Sequence, residues 1–362
     1  MLKKTDLLFS LVRSALWGGD VKLSEMPSKA FQVLMSLAEQ QTVVGLVTET
    51  LMRNNVKLQQ HDAVRTYSSN RGIAAQNNRV SHALLDLCWL LGSNQIDFSV
   101  VKGQTISARY RVADMRTPGD VDFYCDENHF QKAKELIEKE WQVEFDDSEE
   151  EEEQHISFWH QKTLFEMHFR LMKFASRSNQ RSFESFLQDG TGNYVTIDGV
   201  NVPTLQPEMN VVYTFLHLFH HLVEMGCSIR QFCDVAVLLD TQEINADKLE
   251  KMLNRLGFMR AFKAVGVILV DNLGLSQEKF PFAITPRDRK SSISILDIVF
   301  KHGNFGKYGR ENAMRSGLRY YIESLRIKLS HYLKLYRLAP KESRAVLLGD
   351  IPKKIVKAVK RR

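Results

Sequence analysis

A chain of 362 residues, 44% hydrophobic and 25% charged, has the balance of a soluble globular protein with large buried cores and room for two or three structural units. The composition excludes collagen-like, low-complexity and solenoid-repeat architectures, and no segment approaches the ~20 apolar residues of a membrane-spanning helix. The net charge of +6 is uneven: residues 301–362 hold 17 Lys/Arg against 4 Asp/Glu, a net of +13 that leaves −7 elsewhere. Such a tail attracts polyanions or phosphates, or lies solvated along an amphipathic helix pair.

Lys3 and Lys4 precede an apolar run, as in a secretory leader, but Asp6 and Arg13 interrupt it and no small-residue cleavage site follows. The sequence therefore predicts an amphipathic first helix. Cys88, Cys125, Cys227 and Cys233 match no zinc spacing; free buried thiols in a reduced, cytoplasmic setting are expected.

Residues 1–95 read as helices, with Phe31, Val33, Leu34 and Leu37, and again Leu84, Leu85, Leu87 and Leu90, at helical spacing. Gly92-Ser93-Asn94 ends this region. Residues 96–101 then read as a strand closed by Lys102-Gly103-Gln104, and a helix is expected over 105–111. A second strand is expected at 121–125. Asp126 reads as the N-cap of a helix over 127–139, with Phe130, Ala133, Leu136 and Ile137 on one face. Residues 141–145 read as a third strand. Five consecutive glutamates, 149–153, read as a solvated loop, since neighbouring side chains diverge and cannot converge on one Ca²⁺. Residues 155–159 and 163–169 read as the two strands of a hairpin. From Pro207, a residue suited to a helix start, the pattern is helical: Val211, Val212, Phe215, Leu218, Phe219 and Leu222 make an apolar face. Further helices are expected at 230–239, 246–256 and 259–273 and in the basic tail.

The chemistry concentrates between residues 100 and 170. On a strand, Asp120 and Asp122 project to the same face while Val121 and Phe123 point to the core. Two adjacent carboxylates repel unless a cation neutralises them. Mg²⁺, or Mn²⁺, takes oxygen ligands and commonly bridges one or two carboxylates to substrate phosphates. Gly103 stands where a strand meets a helix, a turn at which backbone N–H groups can approach a phosphate. Lys102 adds a point charge there, and Arg116 offers a fork for phosphate oxygens. Residues 163–169 alternate, so Glu166 and His168 share a face, and His168 can orient Glu166 or contact a nucleotide.

Taken together, Val101-Lys102-Gly103, Arg116, Gly119-Asp120-Val121-Asp122 and Glu166-Met167-His168 resemble the bacterial uncharacterised nucleotidyltransferase family, within the polymerase-β-like nucleotidyltransferase superfamily. The resemblance covers roughly residues 30–270 and extends to the segment holding His217, His220, His221 and Asp234. It implies an α+β fold: a nucleotidyltransferase-type mixed sheet with helices, flanked by N-terminal and C-terminal helical regions. The corresponding division is 1–95, a core over 96–205, and a helical domain with basic tail over 206–362. It also implies transfer of NMP from an NTP, with Asp120, Asp122 and Glu166 as metal ligands and catalytic carboxylates. Glu166 would take the acceptor's proton, and Lys102, Gly103, Gln104, Arg116 and His168 would bind the nucleotide. The superfamily's turn usually carries Gly-Gly or Gly-Ser, with a shorter gap to the Asp pair. Here Gly103 is followed by Gln104, and Lys102 and Arg116 are expected to share the phosphate work.

The acceptor is open among a small molecule, a protein and RNA. RNA- or tRNA-directed addition fits the basic tail, and a non-catalytic nucleotide-binding or antitoxin-like regulator is the alternative of another class. His217 and His221, and likewise His220 and Glu224, stand four apart on a helix and form candidate ligand pairs without a third member. Arg230 and Asp234 are spaced for an ordinary helical ion pair.

Overall fold

The structure, a computed structural model, describes residues 2–146, 154–311 and 317–353. The glutamate block 149–153 and the terminal basic cluster 354–362 lie outside the described residues. In chain order the regular elements begin with α1 (Leu2–Trp17), α2 (Ser28–Gln40), α3 (Val44–Arg53) and α4 (Gln60–Ser93). Next come β1 (Ser99–Val101), α5 (Gly103–Ser107), β2 (Val121–Tyr124), α6 (Phe130–Trp141), β3 (His155–His160) and β4 (Thr163–His168). Then follow α7 (Arg177–Gln188), β5 (Asn193–Ile197), β6 (Val200–Thr204), α8 (Pro207–Glu224), α9 (Ile229–Thr241), α10 (Ala246–Leu256) and α11 (Met259–Val267). The last are α12 (Pro286–His302), α13 (Gly317–Leu335) and α14 (Pro340–Ala345).

These elements form two compact units. The first comprises residues 1–38, 43–173 and 190–210. Its centre is a four-stranded sheet of order β1-β2-β4-β3, in which β2 and β4 are parallel and the outer pairs antiparallel. The fold is thus α+β, with a mixed sheet. Strand alternation sorts the two faces. Val121, Phe123, Phe165, Met167, Ile156 and Phe158 pack into one apolar cluster with α4 and α6. From α4 that cluster takes Val80, Ala83, Leu84, Leu87 and Leu91, which recur every third or fourth residue. The opposite face carries Asp122, Glu166, His168, His155 and Ser157. The β5–β6 hairpin turns at Asp198 and Gly199, both at positive φ (47° and 81°), as a two-residue connection requires. It is tied to the sheet by Thr204 Oγ1, which donates to the Val100 carbonyl at 2.8 Å.

Three local expectations are corrected. Residues 141–145 are not a strand: Ala133, Ile137 and Trp141 keep helical spacing, Trp141 ends α6, and Gln142 closes it in the left-handed region. The first strand begins at Ser99 rather than residue 96, because the Ile96 N–H returns to the Leu91 carbonyl (3.1 Å) and finishes α4. The helix after Gly103 starts at that glycine and is short. Asp126 Oδ1 does accept the N–H groups of Asn128 and His129, both at 3.0 Å, but in the turn that precedes α6.

The second unit comprises residues 39–42, 174–189 and 211–362 and is helical. The α9 helix opens with the Ser228 N–H donating to Gln231 Oε1 (3.2 Å), and α12 on a capping box between Thr285 and Asp288 with Pro286 beside it. Gln41, fully buried, bridges this unit's helices: its Nε2 donates to the Val299 carbonyl (3.1 Å) and its Oε1 accepts the Ile229 N–H (3.1 Å). No described helix is long and apolar enough to cross a membrane.

Candidate active site

Sheet register builds the site. The parallel pairing of β2 with β4 sets Asp122 directly beside Glu166, and Tyr124 beside His168. The antiparallel pairing of β3 with β4 sets His155 opposite His168 and Ser157 opposite Glu166. The connection Gln161-Lys162, with both residues at positive φ (49° and 61°), fixes that second register. Asp120 sits one residue before β2, partly buried.

Asp122 is the most enclosed member, only 2% exposed. Its Oδ1 accepts from Lys102 Nζ at 2.7 Å and from His168 Nε2 at 2.9 Å. Burial alone would raise its pKa, but the Lys102 ammonium and the His168 hydrogen bond outweigh burial and hold the carboxyl well below its ordinary range. Asp120 shows the opposite effect. The Asp122 charge, followed by burial, pushes its pKa up to about 6 against the smaller pull of Lys102. Burial works to lower the His168 pKa, yet hydrogen bonds to Asp122 and Glu166 carry it above the ordinary value. His155 is lowered, chiefly by burial, with Glu166 opposing.

Glu166 stands between two imidazoles: Oε1 is 3.7 Å from His155 Nε2, and Oε2 is 3.6 Å from His168 Nε2. The His155 and His168 rings are 4.8 Å apart. The β1–α5 turn delivers Lys102 from an unusual backbone position, φ 56° and ψ −146°, a region that favours glycine. Gly103 follows at φ 44°, and a Cβ there would approach the Asp120 carbonyl at 3.3 Å. The structure therefore brings Lys102, Asp120, Asp122, Glu166 and His168 to one face and adds His155. The sequence reading did not single out His155, although counting back through the hairpin from 160 opposite 163 reaches 155 opposite 168.

One of the expected nucleotide contacts, Gln104, has its side chain engaged elsewhere, and Arg116 is buried in the loop before Asp120. Gln104 is buried, and its Nε2 donates to Ser81 Oγ (2.7 Å) and the Asn77 carbonyl (3.3 Å), turning the side chain toward α4. Arg116 is 3% exposed, and its backbone carbonyl accepts from Asn77 Nδ2 at 2.9 Å. In the helical unit, the Nε2 atoms of His217 and His221 are 3.0 Å apart, and Glu224 is engaged by Lys328 (2.6 Å) and Tyr332 (3.1 Å). Asp234 is buried in α9. All four cysteines are free and buried.

The charges of Asp122 and Glu166 both raise the Asp120 pKa, a repulsion that a bound divalent cation would relieve, while the group whose ligand atoms come within 4.8 Å of one another among the described residues is His155, Glu166 and His168. A family model described as an uncharacterised nucleotidyltransferase matches residues 27–273. No curated protein matches the chain. Among solved structures, an antigenic nucleotidyltransferase-like protein from Paracoccidioides brasiliensis matches at 17% identity and a TM-score of 0.33, over 55% of this chain and 92% of that one.

Proposed function

The chain belongs to the uncharacterised nucleotidyltransferase family, and from that premise we propose that it moves NMP from an NTP to an acceptor hydroxyl and releases pyrophosphate. The observation that carries this reading is the register pairing of Asp122 with Glu166 on parallel strands, with Asp120 one residue before β2. When bound, Mg²⁺ or Mn²⁺ would be held by Asp120, Asp122 and Glu166, and would neutralise charge developing on the phosphates.

The chain's own groups have distinct tasks. Lys102 and His168 keep Asp122 ionised despite its burial, so the carboxylate is ready to ligate without first losing a proton. Glu166, with a side chain 21% exposed, is reachable by an acceptor and takes its hydroxyl proton. Gly103 leaves room at the turn for phosphate oxygens, and Lys102 brings a positive charge beside them. The Gln104 side chain is held by α4, so its contribution to phosphate binding would come from its backbone.

A polyanionic acceptor such as RNA is a second reading, favoured by the 17 Lys/Arg against 4 Asp/Glu in residues 301–362. Binding that weakens steeply with salt would support it, and salt-insensitive transfer would argue for a small or proteinaceous acceptor. The primary reading is tested by following α-phosphate label and pyrophosphate from each NTP in the presence of cell extract. Nucleotide binding without pyrophosphate release would instead mark a regulator.

A further inference from the structure

The site holds a second constellation beyond the carboxylates. His155, Glu166 and His168 present ligand atoms that all lie within 4.8 Å of one another. Two ligands each ~2.1 Å from a tetrahedral ion stand ~3.4 Å apart. Glu166 already lies 3.7 Å from His155 Nε2 and 3.6 Å from His168 Nε2, with a different oxygen toward each ring. Small side-chain rotations would bring the three to ligand spacing. Two adjacent strands, β3 and β4, set this arrangement, so it rests on sheet backbone rather than on a loop.

His168 supplies an independent observation. The ring is 5% exposed, and its Nε2 is held by Asp122 Oδ1 at 2.9 Å. Its Nδ1 is buried without a hydrogen-bond partner among the described residues. The nitrogen that faces Glu166 is the same Nε2 that Asp122 holds, so an ion at this site would sit beside Nε2, next to the Asp122 carboxylate.

The chemistry of the donors then selects the ion. Mg²⁺ demands oxygen ligands and gives up its waters reluctantly. Two imidazoles and a carboxylate suit borderline first-row dications instead. We propose that His155, Glu166 and His168 form a binding site for a transition-metal dication of the Zn²⁺ or Co²⁺ class, sharing Glu166 with the Asp120–Asp122 pair. This extends the reading of this sheet face as a metal-assisted site, and rests on that reading only through Glu166.

The test is calorimetric titration of the metal-stripped full chain with Zn²⁺ and with Mg²⁺, and Co²⁺ titration followed by its visible absorption. Zn²⁺ is expected to bind at one equivalent, on the order of 100-fold more tightly than Mg²⁺. His155→Ala should weaken Zn²⁺ at least 10-fold, and Co²⁺ absorption should lose its tetrahedral intensity. His155 is partly exposed, so an unchanged melting temperature for that variant shows that folding is intact; His155→Gln serves as the second variant. His217→Ala should retain Zn²⁺ binding. The proposal is overturned if Zn²⁺ binds no better than Mg²⁺, or if His155→Ala binds Zn²⁺ as tightly as the wild-type protein. Because the readout is binding, it succeeds or fails independently of whether the protein transfers nucleotide.

Discussion

Lys102 Nζ donates to Asp122 Oδ1 at 2.7 Å, from a residue whose own backbone stands at φ 56° and ψ −146°. A non-glycine residue in such a region costs of order 1–3 kcal/mol and persists where its surroundings hold it. Here the holding group is a carboxylate 2% exposed. Lys102→Met should therefore leave Asp122 with only His168 as counter-charge and lower stability by about 2–4 kcal/mol in urea unfolding. Lys102→Gly should lose roughly 1 kcal/mol less, because it also relieves the backbone. The double variant Lys102→Met/Asp122→Asn should recover most of the loss. If Lys102→Met proves neutral, the pair does not restrain this turn.

Asp120 behaves differently. Its pKa is pushed up to about 6, first by Asp122 and then by burial, so near pH 7.5 the metal-free site contains two ionised, repelling carboxylates. Asp120→Asn should raise metal-free stability by roughly 1–2 kcal/mol while eliminating transfer, the exchange of stability for activity expected at a charged site. Thermal melts with and without chelator measure it. A destabilised variant would show that the Asp120 charge has a stabilising partner.

Gly45 bears on the loop that leads to the site. A Cβ there would strike the Met115 carbonyl, one residue before Arg116. The same loop is pinned by Asn77 Nδ2, which donates to the carbonyls of Asp114 (2.8 Å) and Arg116 (2.9 Å). Gly45→Ala should cost about 2 kcal/mol or more and raise KM for the NTP more than it lowers kcat. An unchanged melting temperature would contradict the close packing.

His331 gives a pH dependence remote from the carboxylates. It is 4% exposed, its ring lies 5.0 Å from that of His302, and its pKa is pushed down to about 4. Burial is the main cause. The positive charge of His302, Lys301 and Lys334 adds to it, while a hydrogen bond to the Leu222 carbonyl opposes it. In the unfolded chain a histidine titrates near 6.5, so below that pH the unfolded state binds the proton more readily. Stability from this residue is complete above about pH 6.5 and declines as pH falls toward 4, by of order 1–3 kcal/mol. His331→Gln should flatten the fall in melting temperature between pH 7.5 and 5; an equal fall in both proteins would refute this.

The parts of the site written in period-two alternation were legible in the sequence. Asp120-Val121-Asp122 and Glu166-Met167-His168 each declare a polar face and an apolar one, and residue spacing alone gives that. Pairing across strands was harder to see. His155 opposes His168 because Gln161-Lys162 makes a two-residue turn, and neither residue is the Gly or Asn that usually announces one. The β5–β6 hairpin did carry an Asp198-Gly199 signal, but its strands are short and half exposed, so hydrophobic alternation did not mark them. Residues 141–145 misled through their aromatic and β-branched content, where the helical spacing of Ala133, Ile137 and Trp141 prevailed. The Lys102–Asp122 contact was not readable: the sequence put Lys102 beside a phosphate turn, and only the folded turn shows its ammonium on the carboxylate.

The most direct test of the central claim is transfer of α-phosphate label from each NTP, with Mg²⁺ or Mn²⁺ and cell extract, by the wild-type, Asp120→Asn and Asp122→Asn proteins. The account predicts labelled acceptor and stoichiometric pyrophosphate from wild type, and neither from the variants, with Asp120→Asn folded and at least as stable as wild type. Label incorporation by Asp120→Asn or Asp122→Asn at the wild-type rate would contradict it.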